Sequence, residues 1–238
     1  MKLRTYKKEL GYSYALGASL VIELLQNRPE DCIVVIFSPA YPDKGGRIAK
    51  LCEKYNIPIE ENQKFIDMLS PKENCYALAA FSKRERQIGA GKSHVILDSP
   101  SDMGNLGTII RSCAGFGIND VAIVGGGADV FNPKAIRASM GAFFHINAQY
   151  FDSITDYFGF CGGNRAIYTF MLGGGHNLAD LPVNKNEIYS LVFGNEASGL
   201  DYDTYKNIGK SVVIGHTGKI DSLSLPTAAG IALFWFAK

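Results

Sequence analysis

Cysteine is scarce in this chain and never closely paired. Cys32, Cys52, Cys75, Cys113 and Cys161 are odd in number, widely scattered and contain no CxxC. That pattern argues against a disulfide framework or a zinc site and for reduced, buried thiols; no metal is expected. An excess of one charge is missing too: 24 Lys and Arg stand against 23 Asp and Glu, for a net charge of +1. Proteins that coat phosphates are usually more basic, so any nucleic-acid footprint must be local. The longest apolar run, Leu225 to Ala237, is too short to span a bilayer. The start MKLRTYKKELGY lacks an apolar core after its charges, so no secretory signal is expected. Both absences point to the cytoplasm and away from a membrane. Repeats and low-complexity segments are absent as well.

What is present is an ordinary globular balance, 47% hydrophobic and 20% charged over 238 residues. That length suffices for one large α/β domain or two small ones with a sizeable core. Two parts are expected, 1–88 and 94–238. In the first, Leu10–Asn27 reads as a helix stopped by Pro29, and the β-branched run Cys32–Phe37 as a buried strand. A helix over Gly46–Tyr55, short strands at Ile57–Ile59 and Tyr76–Ala80, and a small helix at Lys64–Leu69 complete a compact α/β unit. Ser82–Ser93, charged and then glycine-rich, reads as a flexible basic linker. The second part alternates. Strands are expected at His94–Asp98, Asp120–Gly125, Arg165–Phe170, Tyr189–Phe193 and Ser211–Ile214. Helices are expected at Leu106–Phe116, Pro133–Ala142, Ser153–Phe158 and Leu225–Ala237. Such alternation implies an α/β fold with a mainly parallel sheet.

Gly89-Ala-Gly-Lys-Ser93 invites a phosphate-loop reading. That motif needs a glycine five residues before Gly91, where Arg86 stands, and must open a helix rather than precede a strand. The glycine triplets Gly125–Gly127 and Gly173–Gly175 follow expected strands and decide nothing alone.

Three other segments carry chemistry. In Asn105-Leu-Gly-Thr-Ile-Ile-Arg111, Asn105 stands where a helix N-cap is expected. Arg111 falls among apolar neighbours, so its guanidinium needs a partner: a phosphate, or a structural carboxylate. In Leu191-Val-Phe-Gly194-Asn195-Glu196-Ala-Ser-Gly199-Leu200, an apolar strand runs into a polar, glycine-flanked turn at its carboxyl end, where open α/β sheets meet ligands. The third segment runs from Val213-Ile214-Gly215-His216 through Ser222-Leu223-Ser224 into a small-residue helix opened by Pro226.

In this order and spacing the three segments resemble the motifs of the SpoU (TrmH-like) RNA 2′-O-ribose methyltransferase family of the SPOUT superfamily, over about residues 94–238. The resemblance implies a C-terminal trefoil knot, a homodimer, S-adenosylmethionine as cofactor and structured RNA, ribosomal or transfer, as substrate. Residues 1–88 are similar in pattern to the L30e-like substrate-binding domain of many members. Carried over, Gly194, Ile214 and Leu223 hold the cofactor, with Thr169 and Met171 beside the adenosine. Arg111 binds the substrate phosphate and helps activate the 2′-hydroxyl, while Asn105, Glu196 and Ser222 position it and the acceptor. The sequence departs from the family where Pro-Met is usual, having Gly215-His216, and where Ser-Leu-Asn is usual, having Ser222-Leu223-Ser224. Those departures motivate an alternative, a non-catalytic RNA-binding protein on the same scaffold. RNA contacts are expected from Lys2, Arg4, Lys7 and Lys8, and from Lys83, Arg84, Arg86 and Lys92.

Overall fold

The computed structural model describes residues 3–43, 45–70, 75–163, 165–184 and 187–237, so Lys2 lies outside the described residues. The elements run β1 (Tyr12–Leu16), α1 (Ala18–Asn27), β2 (Cys32–Phe37), α2 (Arg47–Tyr55), β3 (Ile59–Glu61), α3 (Gln63–Leu69) and β4 (Ala77–Ser82). Next come β5 (His94–Asp98), α4 (Met103–Gly115), β6 (Asp120–Val124), α5 (Pro133–Ala138), β7 (Asn147–Phe151), α6 (Ile154–Cys161) and β8 (Ala166–Phe170). The last are β9 (His176–Asn177), β10 (Tyr189–Phe193), α7 (Tyr202–Tyr205), β11 (Lys210–Val213) and α8 (Leu225–Phe236). None of the described helices is long and apolar enough to cross a membrane.

The chain forms two compact units, residues 1–84 with 129–145 and residues 85–128 with 146–238. Against the expected division into 1–88 and 94–238, residues 129–145 group with the first unit. Their attachment is polar as well as apolar. The buried Arg28 donates from Nε to the Phe144 carbonyl at 3.0 Å and from Nη2 to that of Phe143 at 3.1 Å. Ser13 Oγ donates to the Phe131 carbonyl.

The first unit is built on a four-stranded sheet, β1-β4-β2-β3, in which only β2 and β3 are parallel. The helix expected over Leu10–Asn27 is in fact a strand followed by a helix. Tyr12 and Tyr14 share a strand face and are buried against Val34, Ile36, Leu78 and Ile66. Gly17, at φ +110°, makes the bend that α1 needs, a conformation side chains disfavour. The helix expected over Pro133–Ala142 stops early, because Met140 (φ +52°) and Gly141 (φ +91°) turn left-handed after α5.

Within the first unit, Lys83 and Arg84, both expected on RNA, have internal partners. Lys83 lies 3.7 Å from Asp129 and 4.5 Å from the Tyr6 ring centroid. Arg84 sits 3.2 Å from Asp31. Arg4, Lys7 and Lys8 are exposed.

The second unit carries a seven-stranded sheet, β7-β6-β5-β10-β8-β11-β9, with every pair parallel. Its central strands β5, β6 and β10 are almost wholly buried, as strands covered on both faces must be. Parallel pairing puts the carboxyl ends of β5, β8, β10 and β11 at one edge, and the loops that leave them share that edge. The polar strand β7 and the two-residue β9 were absent from the sequence expectation.

The opposite edge is closed by a buried polar cluster. His94 Nδ1 is 2.7 Å from the Tyr157 hydroxyl and 2.6 Å from Arg165 Nη1, and its Nε2 is 2.9 Å from the Gly89 carbonyl. Since a guanidinium only donates, Nδ1 accepts and Nε2 carries the proton. Burial first, and the Arg165 charge second, push the imidazole down to about 4. Arg165 also donates to the carbonyls of Ala90 (2.9 Å) and Lys92 (2.5 Å). The segment read as a flexible linker is thus anchored from Ile88, which is buried, to Lys92. Lys92 Nζ further pairs with Asp120 at 3.9 Å.

Candidate active site

β10 ends at Phe193, and at the buried Gly194 that follows the backbone reverses at once. A Cβ on Gly194 would stand 2.1 Å from the Gly199 carbonyl carbon, so no other residue fits. Asn195 and Gly199 close the turn with reciprocal backbone bonds of 3.2 and 2.9 Å. The Asn195 side chain accepts from Ala197 N (2.9 Å) and Ser198 N (3.3 Å) and donates to the Ser99 carbonyl (2.7 Å). One amide therefore shapes its own loop and ties it to the loop after β5.

Glu196 makes the stronger tie. Its Oε2 accepts from Ser101 N at 2.9 Å and Ser101 Oγ at 2.7 Å, and its Oε1 from Asp102 N at 3.0 Å and Asn105 Nδ2 at 3.2 Å. Partial burial raises the carboxyl, but the hydrogen bonds from Ser101 and Asp102 prevail and hold it down at about 2. An anion at a helix start also meets the positive end of the dipole. So held, Glu196 is a clamp and not a proton acceptor near neutral pH.

The cap of α4 differs from expectation. Asp102, not Asn105, is the N-cap, its carboxylate accepting from Asn105 N at 2.8 Å. Asn105 lies one turn in, which frees its side chain to reach Glu196. Arg111, further along α4, is exposed and makes no hydrogen bond or ion pair among the described residues. The structural Arg–carboxylate pair is therefore not its role here.

Beside the Glu196 loop opens a cleft of about 290 Å³. Its walls come from the residues after β8, β10 and β11 and from the approach to α8. Of the residues singled out in the sequence, Met171, Gly194, Glu196, Ile214, Ser222 and Leu223 line it. Thr169, Asn105 and Arg111 do not. Thr169 is buried within β8 and donates from Oγ1 to the Lys210 carbonyl at 3.4 Å, so its part is to hold β11. His216 lines the cleft and its Nδ1 accepts from Gly218 N at 3.2 Å, a local turn contact. Leu172 and Tyr202 also line it. Sequence reasoning passed over both, because an exposed Leu before a glycine triplet and a Tyr after a turn carry no pattern.

Comparison with known proteins agrees with this geometry. The model of the SpoU rRNA Methylase family matches residues 92–234. The 23S rRNA (guanosine(2553)-2′-O)-methyltransferase RlmP of Bacillus subtilis is 28% identical over 156 residues, 63% of this chain and 60% of its own. The 23S rRNA (uridine(2479)-2′-O)-methyltransferase of Streptomyces viridochromogenes is 31% identical over 144 residues, 59% of this chain and 50% of its own. The chain thus spans between half and three-fifths of these two curated relatives. Among solved structures, an AdoMet-bound rRNA methyltransferase from Sinorhizobium meliloti superposes with a TM-score of 0.80 at 26% identity, covering 94% of this chain and 86% of that one. With its motifs gathered at one sheet edge and the family model matching well over half its length, the chain belongs to the SpoU rRNA methylase family.

Proposed function

We propose that this protein transfers the methyl group of S-adenosylmethionine to a ribose 2′-hydroxyl in structured RNA, ribosomal or transfer. The observation that carries the reading is that the second and third motifs line one cleft while Glu196 ties the first motif to it through Asn105. The names of the relatives support it, two of them 2′-O-methyltransferases of 23S rRNA and one bound to the cofactor.

The residues present fit that cofactor. A cleft of about 290 Å³ is at the small end of ligand sites, and Gly194 lets the turn to Gly199 fold tightly enough to leave backbone along its wall. When bound, S-adenosylmethionine supplies an electrophilic methyl group for an in-line displacement, which depends on alignment. Gly194, Ile214 and Leu223 would hold it through the backbone, with Met171 beside the adenosine. Asn105 and Glu196 fix α4 against the cleft and so set where Arg111 projects. An exposed guanidinium, unpaired among the described residues, suits a substrate phosphate through its bidentate fork. With a pKa above about 12, Arg111 is no base by itself; paired with the phosphate it relays the proton of the 2′-hydroxyl. Ser222, on the cleft wall, orients the acceptor.

The same reading includes the trefoil knot and the homodimer. In its support, the late strand β10 lies between β5 and β8, and β11 between β8 and β9. Phe116, Ile231 and Phe234 leave an exposed apolar face at α4 and α8, with the two Phe rings 6.2 Å apart. The first unit is taken as the L30e-like RNA-binding part, with Arg4, Lys7 and Lys8 as its phosphate contacts.

Calorimetric titration with S-adenosylmethionine tests the reading, with Ile214→Arg as the pocket control. Binding by the wild type alone, followed by methyl transfer to unmodified ribosomal or transfer RNA, is the expected result. A wild type that takes up no cofactor would leave the non-catalytic RNA-binding alternative.

A further inference from the structure

The two most exposed large apolar side chains among the described residues are Leu172, at 72%, and Tyr202, at 69%, and both line the cleft. Scattered exposed apolar residues need no explanation, but the two extremes sharing one opening do. The interior wall is of the opposite kind: Phe193 is 2%, Val212 0% and Leu200 8% exposed. Exposure therefore rises from the floor of the cleft to its mouth, where Leu172 and Tyr202 stand out beside the exposed Ser198, His216 and Ser222.

Neither residue is on a loose segment. The turn carrying Leu172 is fixed by Met171 N donating to the Val212 carbonyl at 3.0 Å and Gly174 N to that of Met171 at 3.2 Å. Gly174 presses so close that a Cβ would lie 2.7 Å from the Val212 backbone. Tyr202 opens α7, a single turn capped by Asp201, which accepts from Thr204 N at 2.8 Å. The turn is anchored by the buried Tyr205, whose hydroxyl donates to Asp98 Oδ2 at 2.6 Å. Lys206 Nζ stands 5.8 Å from the Tyr202 ring centroid and is held there by Asp203 Oδ1 at 2.7 Å.

We propose that Leu172 and Tyr202 form an apolar clamp that takes the base of the acceptor nucleotide. The inference rests on the methyl-transfer reading only for the word acceptor. A planar heterocycle is the ligand such a mouth fits, because an unstacked base regains on an aromatic ring what it loses in leaving its helix. Cofactor adenine is the other planar ring available, but the buried floor of Phe193, Leu200 and Val212 suits it better. Gripping the base orients the 2′-hydroxyl of the same nucleotide, which is what an alignment-limited displacement requires.

The test compares wild type with Tyr202→Ala, Tyr202→Phe and Leu172→Ala. Affinity for an unmodified 23S rRNA transcript and for bulk transfer RNA is measured by filter binding, and affinity for S-adenosylmethionine by calorimetry. The clamp predicts that Tyr202→Ala weakens binding of one RNA about tenfold, that Leu172→Ala weakens it less, and that Tyr202→Phe retains it. Cofactor affinity stays within about twofold throughout, since stacking on the mouth leaves the interior untouched. RNA binding indifferent to Tyr202, or absent from the wild type, overturns the clamp. Loss of cofactor affinity with RNA affinity intact overturns it too, assigning the ring to adenine. Tyr202-dependent RNA binding by a wild type that takes up no cofactor supports the clamp and removes the methyl-transfer reading.

Discussion

Asn105 and Glu196 lie 91 positions apart in the chain and meet at 3.2 Å, amide nitrogen to carboxylate oxygen. Through this pair the first turn of α4 and the loop after β10 become one structure. Glu196→Gln keeps the shape but turns an NH2 toward the donors of Ser101 and Asp102. Stability is expected to fall by roughly 1 kcal/mol, the cost of mispaired hydrogen bonds reduced by partial exposure, as read by urea unfolding. The carboxyl is held at about 2 against an ordinary 4.5. Its stabilisation is therefore complete above about pH 4.5 and lost as pH falls toward 2. The Gln variant should show a flatter acid limb in that window.

Arg111 gives the cleanest separation of function from folding. Exposed and without a partner among the described residues, it can be changed at little structural cost: Arg111→Ala and Arg111→Lys should each unfold within about 0.5 kcal/mol of wild type. Methyl transfer should nonetheless fall by about 100-fold or more in both, because lysine does not reproduce the guanidinium fork. Full turnover in Arg111→Lys would end the proton-relay role.

Gly194 is a steric requirement. Gly194→Ala places a methyl group against the Gly199 carbonyl. Overpacking of this kind costs about 1–3 kcal/mol, and the displaced turn should abolish cofactor binding in calorimetry. A variant that binds normally would mean that the cleft backbone takes no part.

The His94 cluster sets a second acid window. A neutral imidazole is built into the fold, with its pKa at about 4 against an ordinary 6.5. The unfolded chain binds the proton more readily, so stability is complete above about pH 6.5 and falls as pH drops toward 4. The loss is on the order of 3 kcal/mol. His94→Gln should remove that dependence between pH 4 and 6.5 in thermal unfolding, at an overall cost of about 1–3 kcal/mol for the disturbed bonds.

The sequence alone determined the strands His94–Asp98 and Tyr189–Phe193, because strands covered on both faces must be continuously apolar and need no partner to be recognised. It also determined the family, through the order and spacing of three short motifs. It misread Tyr12–Leu16 because an apolar strand running into the apolar helix Ala18–Asn27 imitates one long helical pattern; only pairing with Leu78–Ser82 separates them. It passed over Asn147–Phe151 because a polar strand at the sheet margin has little apolar signal. Tertiary structure alone decided that Asp102 caps α4 and Asn105 serves Glu196, that residues 129–145 group with the first unit, and that Thr169 bonds Lys210 and does not line the cleft. It also decided that Lys83, Arg84 and Lys92 spend their charge on internal aspartates. Burial periodicity is written locally along a chain; the partner of a polar group is set by segments far away in sequence, and only the folded backbone brings them within hydrogen-bonding distance.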